Sequence, residues 1–354
     1  MQNAGEILQP DCEVGCTLFD LNYFDKHGIS KSNPLLGIGA GDSSLYVDAL
    51  SDDLISDLFD KLDNEISWNV MTHKGGPVPR LISIQGERQH GTCFPLYRHP
   101  ADEQPSTIDF TSTALRCRDE VSELLGQPFN HALIQKYRNG KDNISEHADK
   151  TLDISRGTMI VNLSVGSTRV MILKSKPDHP GNSTYIDNEG KECIGKITQK
   201  VTLPPNSIFV LGWNTNLLFT HSIKADKRQL NEKRYDEKLY NEQRISLTFR
   251  NIATYISPTG IIFGQGAKLK ELPAGDLLFP SPDYIDHTKD IIYKDLKHED
   301  EHEKKHENEK EHENIEESGN LLKAFGVENR SAQFDWEQHY GAGFNIVNFQ
   351  IVNT

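Results

Sequence analysis

Two side chains that could bind a metal stand two positions apart in the sequence, His147 and Asp149. They follow the β-branched run 131–137 and the turn-forming segment RNGKDN. In an extended segment, residues i and i+2 project to the same side, so both side chains can reach one ion. The pattern H-x-D also occurs by chance in surface loops. Alone, therefore, it indicates a metal site only weakly.

Three later residues strengthen this interpretation through their type and order. His221 follows in the apolar segment LLFTHSI, and the strand-like run RISLTFR then carries Arg244 and Arg250, which share a parity. Two histidines and one carboxylate on a β scaffold form the facial triad of non-haem Fe(II) oxygenases. An inward-facing arginine offers the fork of donors that a dicarboxylate needs. The order predicts an iron site beside a dicarboxylate site.

The elements that must position these residues are predicted to be two helices and a series of short strands. Helices are expected at 51–68, with Ser51 as N-cap, and at 112–126, where Gly126 ends the helix. The strands are expected at 45–50, 79–87, 131–137, 158–165, 169–175, 200–204, 207–212 and 244–256. This combination favours a β-sandwich or open barrel with helices packed on one face.

Composition limits the class of protein and its partners. The chain has 354 residues and a formal net charge of −14 at pH 7, which disfavours nucleic-acid binding but leaves room for a local basic groove. Five scattered cysteines, of which only Cys12 and Cys16 could form a local pair, fit reduced thiols. No stretch approaches the roughly 18 apolar residues of a membrane helix. We therefore expect a soluble cytoplasmic or nuclear protein.

The sequence divides into four predicted segments. They are an N-terminal extension (1–42), the main folded domain (43–296), a charged low-complexity linker (297–318) and a C-terminal segment that docks on the core (319–354). In the linker, His298, His302 and His306 fall at helical spacing and could form a metal-binding face. A solvated or disordered linker is favoured, because this composition buries too little apolar area to order itself.

Several of these segments resemble the AlkB family of Fe(II)/2-oxoglutarate-dependent dioxygenases, especially its DNA-repair branch and a related fungal group. The similarity lies in HALIQKYRNGKDNISEHADKT, IVNLSVGSTRVMIL, LPPNSIFVLGWNTNLLFTHSI and RISLTFR. The resemblance implies a mainly β, α+β fold with a double-stranded β-helix (jelly-roll) core and flanking helices. It also implies an oxidoreductase that uses Fe(II), 2-oxoglutarate and O₂ and releases succinate and CO₂.

The resemblance assigns roles to individual residues. The residues that match the iron ligands are His147, Asp149 and His221, and those that match the co-substrate site are Gln135, Tyr137, Arg244, Ser246 and Arg250. Gln135 and Ser246 stand where the family usually has Asn, and both can still hydrogen-bond a carboxylate.

The substrate is the less determined part of the prediction. Lys150 and Thr151 follow Asp149, where the repair enzymes carry acidic residues that read the damaged base. This difference and the net acidity favour a small molecule, such as an amino acid or an intermediate of secondary metabolism. Thr151 and Arg169 are candidate substrate contacts, Arg169 with a carboxylate. The alternatives are demethylation of alkylated bases in DNA or RNA, and a binding module without activity.

Overall fold

The structure is a computed structural model that describes residues 16–73, 75–100, 103–186, 191–274 and 301–347, with the backbone only for 301–312. Cys12 and His298 lie outside the described residues, as do the side chains of His302 and His306. The predicted cysteine pair and the predicted histidine face therefore stay predictions.

Short strands make up most of the regular structure of the described residues. The strands are β1 (Cys16–Phe19), β2 (Leu35–Ile38), β3 (Ser43–Tyr46), β4 (Thr72–His73), β5 (Gly76–Pro77), β6 (Leu81–Gly86), β7 (Phe94–Pro95), β8 (His131–Tyr137), β9 (Ile144–His147), β10 (Ile160–Gly166), β11 (Arg169–Ser175), β12 (Ser183–Ile186), β13 (Glu192–Gly195), β14 (Thr198–Leu203), β15 (Ser207–Leu211), β16 (Phe219–Ile223), β17 (Arg244–Arg250), β18 (Thr254–Ile256) and β19 (Ile262–Gly264). The helices are α1 (Leu21–His27), α2 (Asp52–Ile55), α3 (Leu58–Glu65), α4 (Ser112–Leu125), α5 (Trp213–Leu218), α6 (Glu301–Arg330) and α7 (Trp336–Tyr340), with 3₁₀ segments at Leu230–Glu232 and Asp236–Glu242.

Two sheets form the core. The larger has seven strands in the order β2-β3-β15-β10-β17-β8-β6, and the smaller has five in the order β1-β14-β11-β16-β9. Their inner faces share one hydrophobic cluster, in which Leu173 and Val201 of the smaller sheet pack with Ile160 and Phe209 of the larger. β17 is buried on both faces, with Ile245, Leu247 and Phe249 on the helix side and the polar residues Arg244, Ser246, Thr248 and Arg250 on the other. The architecture is α+β with a jelly-roll core, which confirms the predicted fold class.

The outer face of the larger sheet is covered by α3 and α4. Leu62 of α3 and Val121 of α4 are fully buried against Ile134, Leu163 and Leu247 of the sheet. The predicted helix 112–126 is confirmed as α4, which ends at Gly126 in the left-handed region (φ 64°). The other predicted helix divides into α2 and α3, because Asp57 between them has φ 57°. Helices thus pack on one face of the sheet, as predicted.

The N-terminal residues differ from the predicted extension. β1 pairs in parallel with β14 of the smaller sheet, and β2 pairs with β3 of the larger sheet. Both strands lie within residues 1–42, so these residues belong to the folded core from position 16 onward. A second difference concerns the run 244–256, which divides into β17 and β18 because its residues 251–253 leave the larger sheet.

The C-terminal residues form a single long helix and a docked tail. α6 runs through the predicted boundary at 318, since a run of Glu and Lys has high helix propensity even where it buries little. Its last turns place Leu321, Ala324 and Phe325 against Leu152, beside Tyr340 of α7. No helix among the described residues is long and apolar enough to cross a membrane.

One buried ion pair fastens the tail. Arg98 and Asp153 are both fully buried and form a bidentate pair, with Nη2 to Oδ1 at 2.6 Å and Nε to Oδ2 at 3.0 Å. The remaining donors of Arg98 reach the carbonyl oxygens of Gly266, Phe344 and Ile346. Arg98 therefore holds Phe344 and Ile346 of the tail beside Asp153, which follows Asp149 by four positions in the sequence.

Candidate active site

Adjacent strands of the smaller sheet bring the three predicted ligands together. His147 ends β9 and lies directly opposite His221 of β16, and Asp149 follows two residues later. The Nε2 atoms of His147 and His221 lie 3.7 and 3.8 Å from Oδ1 of Asp149. One ligand atom from each residue lies within 4.8 Å of the others, a spacing that suits a single metal ion. Two imidazoles and a carboxylate are also the donor set of an Fe(II) site.

The two histidines are prepared to bind a metal. Nδ1 of His147 donates to the carbonyl of Ser145 at 2.7 Å, which leaves Nε2 as the free ligand atom. His147 lines a cavity over the triad. Burial is the main cause that lowers the pKa of His147 to about 3, and the neighbouring His221 lowers that pKa further. Burial also lowers the pKa of His221. Both imidazoles are therefore neutral at physiological pH, as ligation requires.

Asp149 is fixed by an arginine and an asparagine. Its Oδ2 accepts hydrogen bonds from Nε and Nη2 of Arg250 at 3.0 and 2.7 Å, which leaves Oδ1 toward the histidines. Its backbone N–H donates to Asn216 of α5, whose amide donates back to the Asp149 carbonyl, both at 2.9 Å. Burial alone would raise the pKa of Asp149, but Arg250 and the histidines hold that pKa well below its usual range.

The predicted co-substrate residues lie in register on the neighbouring strands β8 and β17. Arg244 pairs with Tyr137, and Ser246 pairs with Gln135. Nη2 of Arg244 donates to Asn162 and to Ser164, at 2.9 and 2.8 Å, and its guanidinium lies 5.3 Å from the centre of the Tyr137 ring.

This arrangement leaves buried donors without partners. Nε and Nη1 of Arg244 and Nη1 of Arg250 have no hydrogen-bond partner among the described residues. Burial lowers the pKa of Arg244 to about 10, so the guanidinium stays charged at neutral pH. Buried charged donors carry a large penalty until an acceptor reaches them, and a dicarboxylate is a suitable acceptor.

The cavity over the triad has a volume of about 570 Å³. Its sheet side, the floor, includes Gln135, Tyr137, Asn162, Ser246 and Arg250 with the triad. Its helix side, the roof, comes from the last turns of α6 and consists of Leu322, Phe325, Gly326, Asn329 and Arg330. An element more than 70 residues beyond Arg250 in the sequence thus covers one side of the space above the metal ligands.

The roof is attached through Glu328. This buried carboxylate accepts from the backbone N–H and the hydroxyl of Thr151 at 2.9 and 2.5 Å, and from the hydroxyl of Tyr340 at 2.7 Å. Nζ of Lys176 donates to the Glu328 carbonyl at 2.6 Å. Burial raises the pKa of Glu328 above its usual value, although Lys150 and these hydrogen bonds oppose the shift.

The two predicted substrate contacts do not line the cavity. Thr151 is fully buried and its hydroxyl donates to Glu328, so Thr151 binds the roof and is not available to a substrate. The Arg169 guanidinium donates to the carbonyl oxygens of Asn139, Asp142 and Lys224, the last two at 2.9 and 2.7 Å. The Arg169 side chain is buried, but its guanidinium donates to carbonyl oxygens of loops and does not reach the cavity. Substrate contact at these two positions is therefore withdrawn.

The structure adds residues that the sequence did not single out. Asn216 and Tyr97 support Asp149 and Arg250 directly, since the Tyr97 ring lies 4.2 Å from the Arg250 guanidinium. Asn216 precedes His221 by five residues, a local signal that spacing could have offered. The roof residues had no such signal, because a helix distant in the sequence supplies them.

Comparisons with known proteins agree with this geometry. Residues 42–250 match the 2OG-Fe(II) oxygenase superfamily. The chain is 30% identical over 138 residues to DNA oxidative demethylase ALKBH2 of Bos taurus, covering 39% of this chain and 42% of that protein. It is 26% identical over 207 residues to alpha-ketoglutarate-dependent dioxygenase alkB homolog 3 of Bos taurus, covering 57% and 63%.

The chain thus spans less than two thirds of the length of either relative. It is also similar to the solved structure of OsALKBH1, with 18% identity, a TM-score of 0.35 and coverage of 59% of this chain and 98% of that one. The superfamily match confirms the predicted oxygenase class and the predicted cofactors, Fe(II), 2-oxoglutarate and O₂. The chain belongs to the 2OG-Fe(II) oxygenase superfamily, and its sequence is AlkB-like.

Proposed function

We propose that this protein oxidises a C–H bond of a small molecule in a reaction that converts 2-oxoglutarate and O₂ to succinate and CO₂. The observation that carries the proposal is the roof, because the last turns of α6 cover one side of the cavity of about 570 Å³ above the triad. Pockets for small ligands have volumes of roughly 300–1,000 Å³. A predicted fungal origin and a role in secondary metabolism stay predictions, as does a cytoplasmic or nuclear location.

In this proposal, His147, Asp149 and His221 hold Fe(II), which when bound supplies the centre where 2-oxoglutarate and O₂ react. Arg244 and Arg250 hold the carboxylates of 2-oxoglutarate with their unpartnered donors. Tyr137, Gln135, Ser246 and Asn162 add hydrogen bonds on the same side of the cavity. The chain's own contribution is placement of the co-substrate.

The cover that α6 forms over the cavity favours a free molecule over a base that stays attached to a polymer. A nucleotide flipped from a strand brings its sugar and phosphates to the cavity mouth, so it needs an open groove there that can hold the strand. Here the roof covers the cavity with Leu322, Phe325 and Arg330, and the buried contacts of Glu328 hold it in place. Moving this roof aside would break those contacts.

The second candidate function is oxidative demethylation of alkylated bases in DNA or RNA, and the name of the relative ALKBH2, a DNA oxidative demethylase, favours it. A base alkylated on N1 of adenine or on N3 of cytosine carries a positive charge. Among the described residues that line the cavity, Asp149 is the one carboxylate, and Arg250 already pairs with it. This lining offers no acidic partner for such a base, so we rank this function second.

Succinate release separates the candidates. The full chain is loaded with Fe(II) and 2-oxoglutarate under air and given either a panel of amino acids and their N-acyl derivatives or a methylated oligonucleotide. We expect a metabolite to raise succinate release several-fold above the uncoupled rate. Stimulation by the oligonucleotide alone would reject the small-molecule proposal. Absence of Fe(II) binding would support a module without activity, and His221→Ala serves as the inactive control.

A further inference from the structure

The cavity is cationic although the chain is acidic. Its described lining includes the side chains of Arg80, Lys150, Arg250 and Arg330, against the single carboxylate of Asp149. The whole chain has a formal net charge of −14. A concentration of positive charge in an acidic protein selects anions, because low-dielectric walls strengthen the local field.

Two of these four cations are bonded to the metal-binding loop itself. Arg250 donates to Asp149, and Nζ of Lys150 donates to the Ala148 carbonyl and to Oδ1 of Asn329, at 2.9 and 3.1 Å. Lys150 therefore helps to join the roof to the metal-binding loop. Arg80 and Arg330 are the two cations left for a ligand.

Arg80 is a buried cation with a free donor. It precedes β6, is only 9% exposed, and lines the cavity. Its Nη1 donates to the carbonyl of Asn143 at 3.0 Å, while Nε has no partner among the described residues. A guanidinium this far from water loses its hydration, so an anion in the cavity would stabilise it.

Arg330 faces the same cavity from the end of α6. Its guanidinium folds back over Gly326, where an added Cβ would lie only 3.0 Å from Nη2. Gly326 thus makes room for the side chain, and both residues line the cavity. Within the part of the chain that is described, no hydrogen bond or ion pair involves Arg330.

We propose that Arg80 from the sheet side and Arg330 from the helix side bind a carboxylate of the small-molecule substrate, so that the C-terminal helix determines specificity. The inference rests on the proposed function and adds its substrate class. Met71, Val78, Leu322 and Phe325 line the same cavity and would receive an apolar body. The ligand class is therefore a carboxylic acid with an apolar side.

A binding experiment tests this without knowledge of the natural substrate. The full chain, loaded with Mn(II) and 2-oxoglutarate under anaerobic conditions, is titrated with 3-phenylpropanoate and with its neutral isostere, 3-phenylpropanamide, by calorimetry. We expect the carboxylate to bind at least about 10-fold more tightly, the lower end for charge-assisted hydrogen bonds. Arg80→Gln and Arg330→Gln should each reduce this preference several-fold.

The matched control is Lys323→Gln, which removes an exposed cation of α6 that does not line the cavity. It should keep the preference. Arg330 is exposed, so Arg330→Gln tests the proposal even where Arg80→Gln fails to fold.

Four results would overturn the proposal. The first is that the acid and the amide bind with equal affinity, and the second is that Lys323→Gln loses as much of the preference for the acid as the arginine variants do. The third is that the probe displaces 2-oxoglutarate. The fourth is that a methylated oligonucleotide binds in place of the acid and that its binding depends on Arg80. Failure of the proposed function is seen separately, in the succinate assay and in the binding of Mn(II) and 2-oxoglutarate before any probe is added.

Discussion

The floor and the roof of the cavity are built in opposite ways. The floor lies within the residues that match the superfamily, and strand register alone brings His147 opposite His221 and Arg244 opposite Tyr137. The roof lies outside those residues and is joined to the floor by a few buried side chains around Glu328. The floor therefore contains the predicted metal and co-substrate residues, while the roof covers one side of the cavity above them.

The loop after the triad connects the two walls. Asp149 faces the metal site, Thr151 binds Glu328, Leu152 packs under α6, and Asp153 pairs with Arg98 to hold the tail. Lys150 also donates to Asn329, so the four consecutive residues 150–153 join the metal site to the C-terminal segment. This loop connects the roof to the predicted metal ligands, so a substitution in the roof can alter metal binding. Substitutions in the roof and in the floor therefore measure whether the stability of one and the metal affinity of the other change independently.

The largest effect is expected in the floor. His221→Ala removes one of three metal ligands, and turnover of 2-oxoglutarate should fall at least about 1,000-fold, since even the partners of ligands contribute roughly 10- to 100-fold. The free energy of unfolding of the metal-free chain should change far less. Succinate release and denaturant unfolding measure both, with the exposed His27→Ala as control. Normal turnover in His221→Ala would show that the triad does not hold the catalytic metal.

The next effect concerns the roof. Glu328→Ala leaves three buried donors of Thr151 and Tyr340 without an acceptor, so it should lower the free energy of unfolding by about 2–4 kcal/mol. The exposed Glu316→Ala on the same helix should stay within about 0.5 kcal/mol. Mn(II) affinity should be unchanged. A loss of metal affinity equal to that of His221→Ala would mean that roof and floor form one unit.

A smaller effect is expected at the co-substrate. Arg244→Met removes the buried guanidinium whose Nε and Nη1 have no hydrogen-bond partner among the described residues. Because these donors are proposed to bind a carboxylate of 2-oxoglutarate, the KM for 2-oxoglutarate should rise roughly 10- to 100-fold. Steady-state kinetics measure this, and Arg234→Met, which removes an exposed guanidinium, is the control. If KM stays constant while stability falls, Arg244 acts on folding alone.

The sequence predicted the floor far better than the roof for a physical reason. Period-two alternation and short strands place His147 and His221 on neighbouring strands of the smaller sheet and Arg244 on the larger sheet, because neighbouring strands impose register. Phe325 and Arg330 reach the cavity through a tertiary contact between segments far apart in the chain, which no local pattern encodes. The start of α6 was not predicted either, because the composition of the charged run 297–318 is the same for a solvated helix and for a disordered linker.

The smallest effect is a lack of pH dependence at the floor. A protonated imidazole cannot bind a metal, so two histidines with the ordinary pKa of about 6.5 would weaken metal binding roughly 100-fold at pH 5.5. Here burial lowers the pKa of His147 to about 3 and also lowers that of His221, so proton competition begins only at lower pH. Calorimetry with Mn(II) should show less than about a tenfold change in affinity between pH 7.5 and 5.5, with little proton release. Release of two protons on binding at pH 5.5 would mean that water reaches both imidazoles, and then the roof does not exclude solvent from the floor.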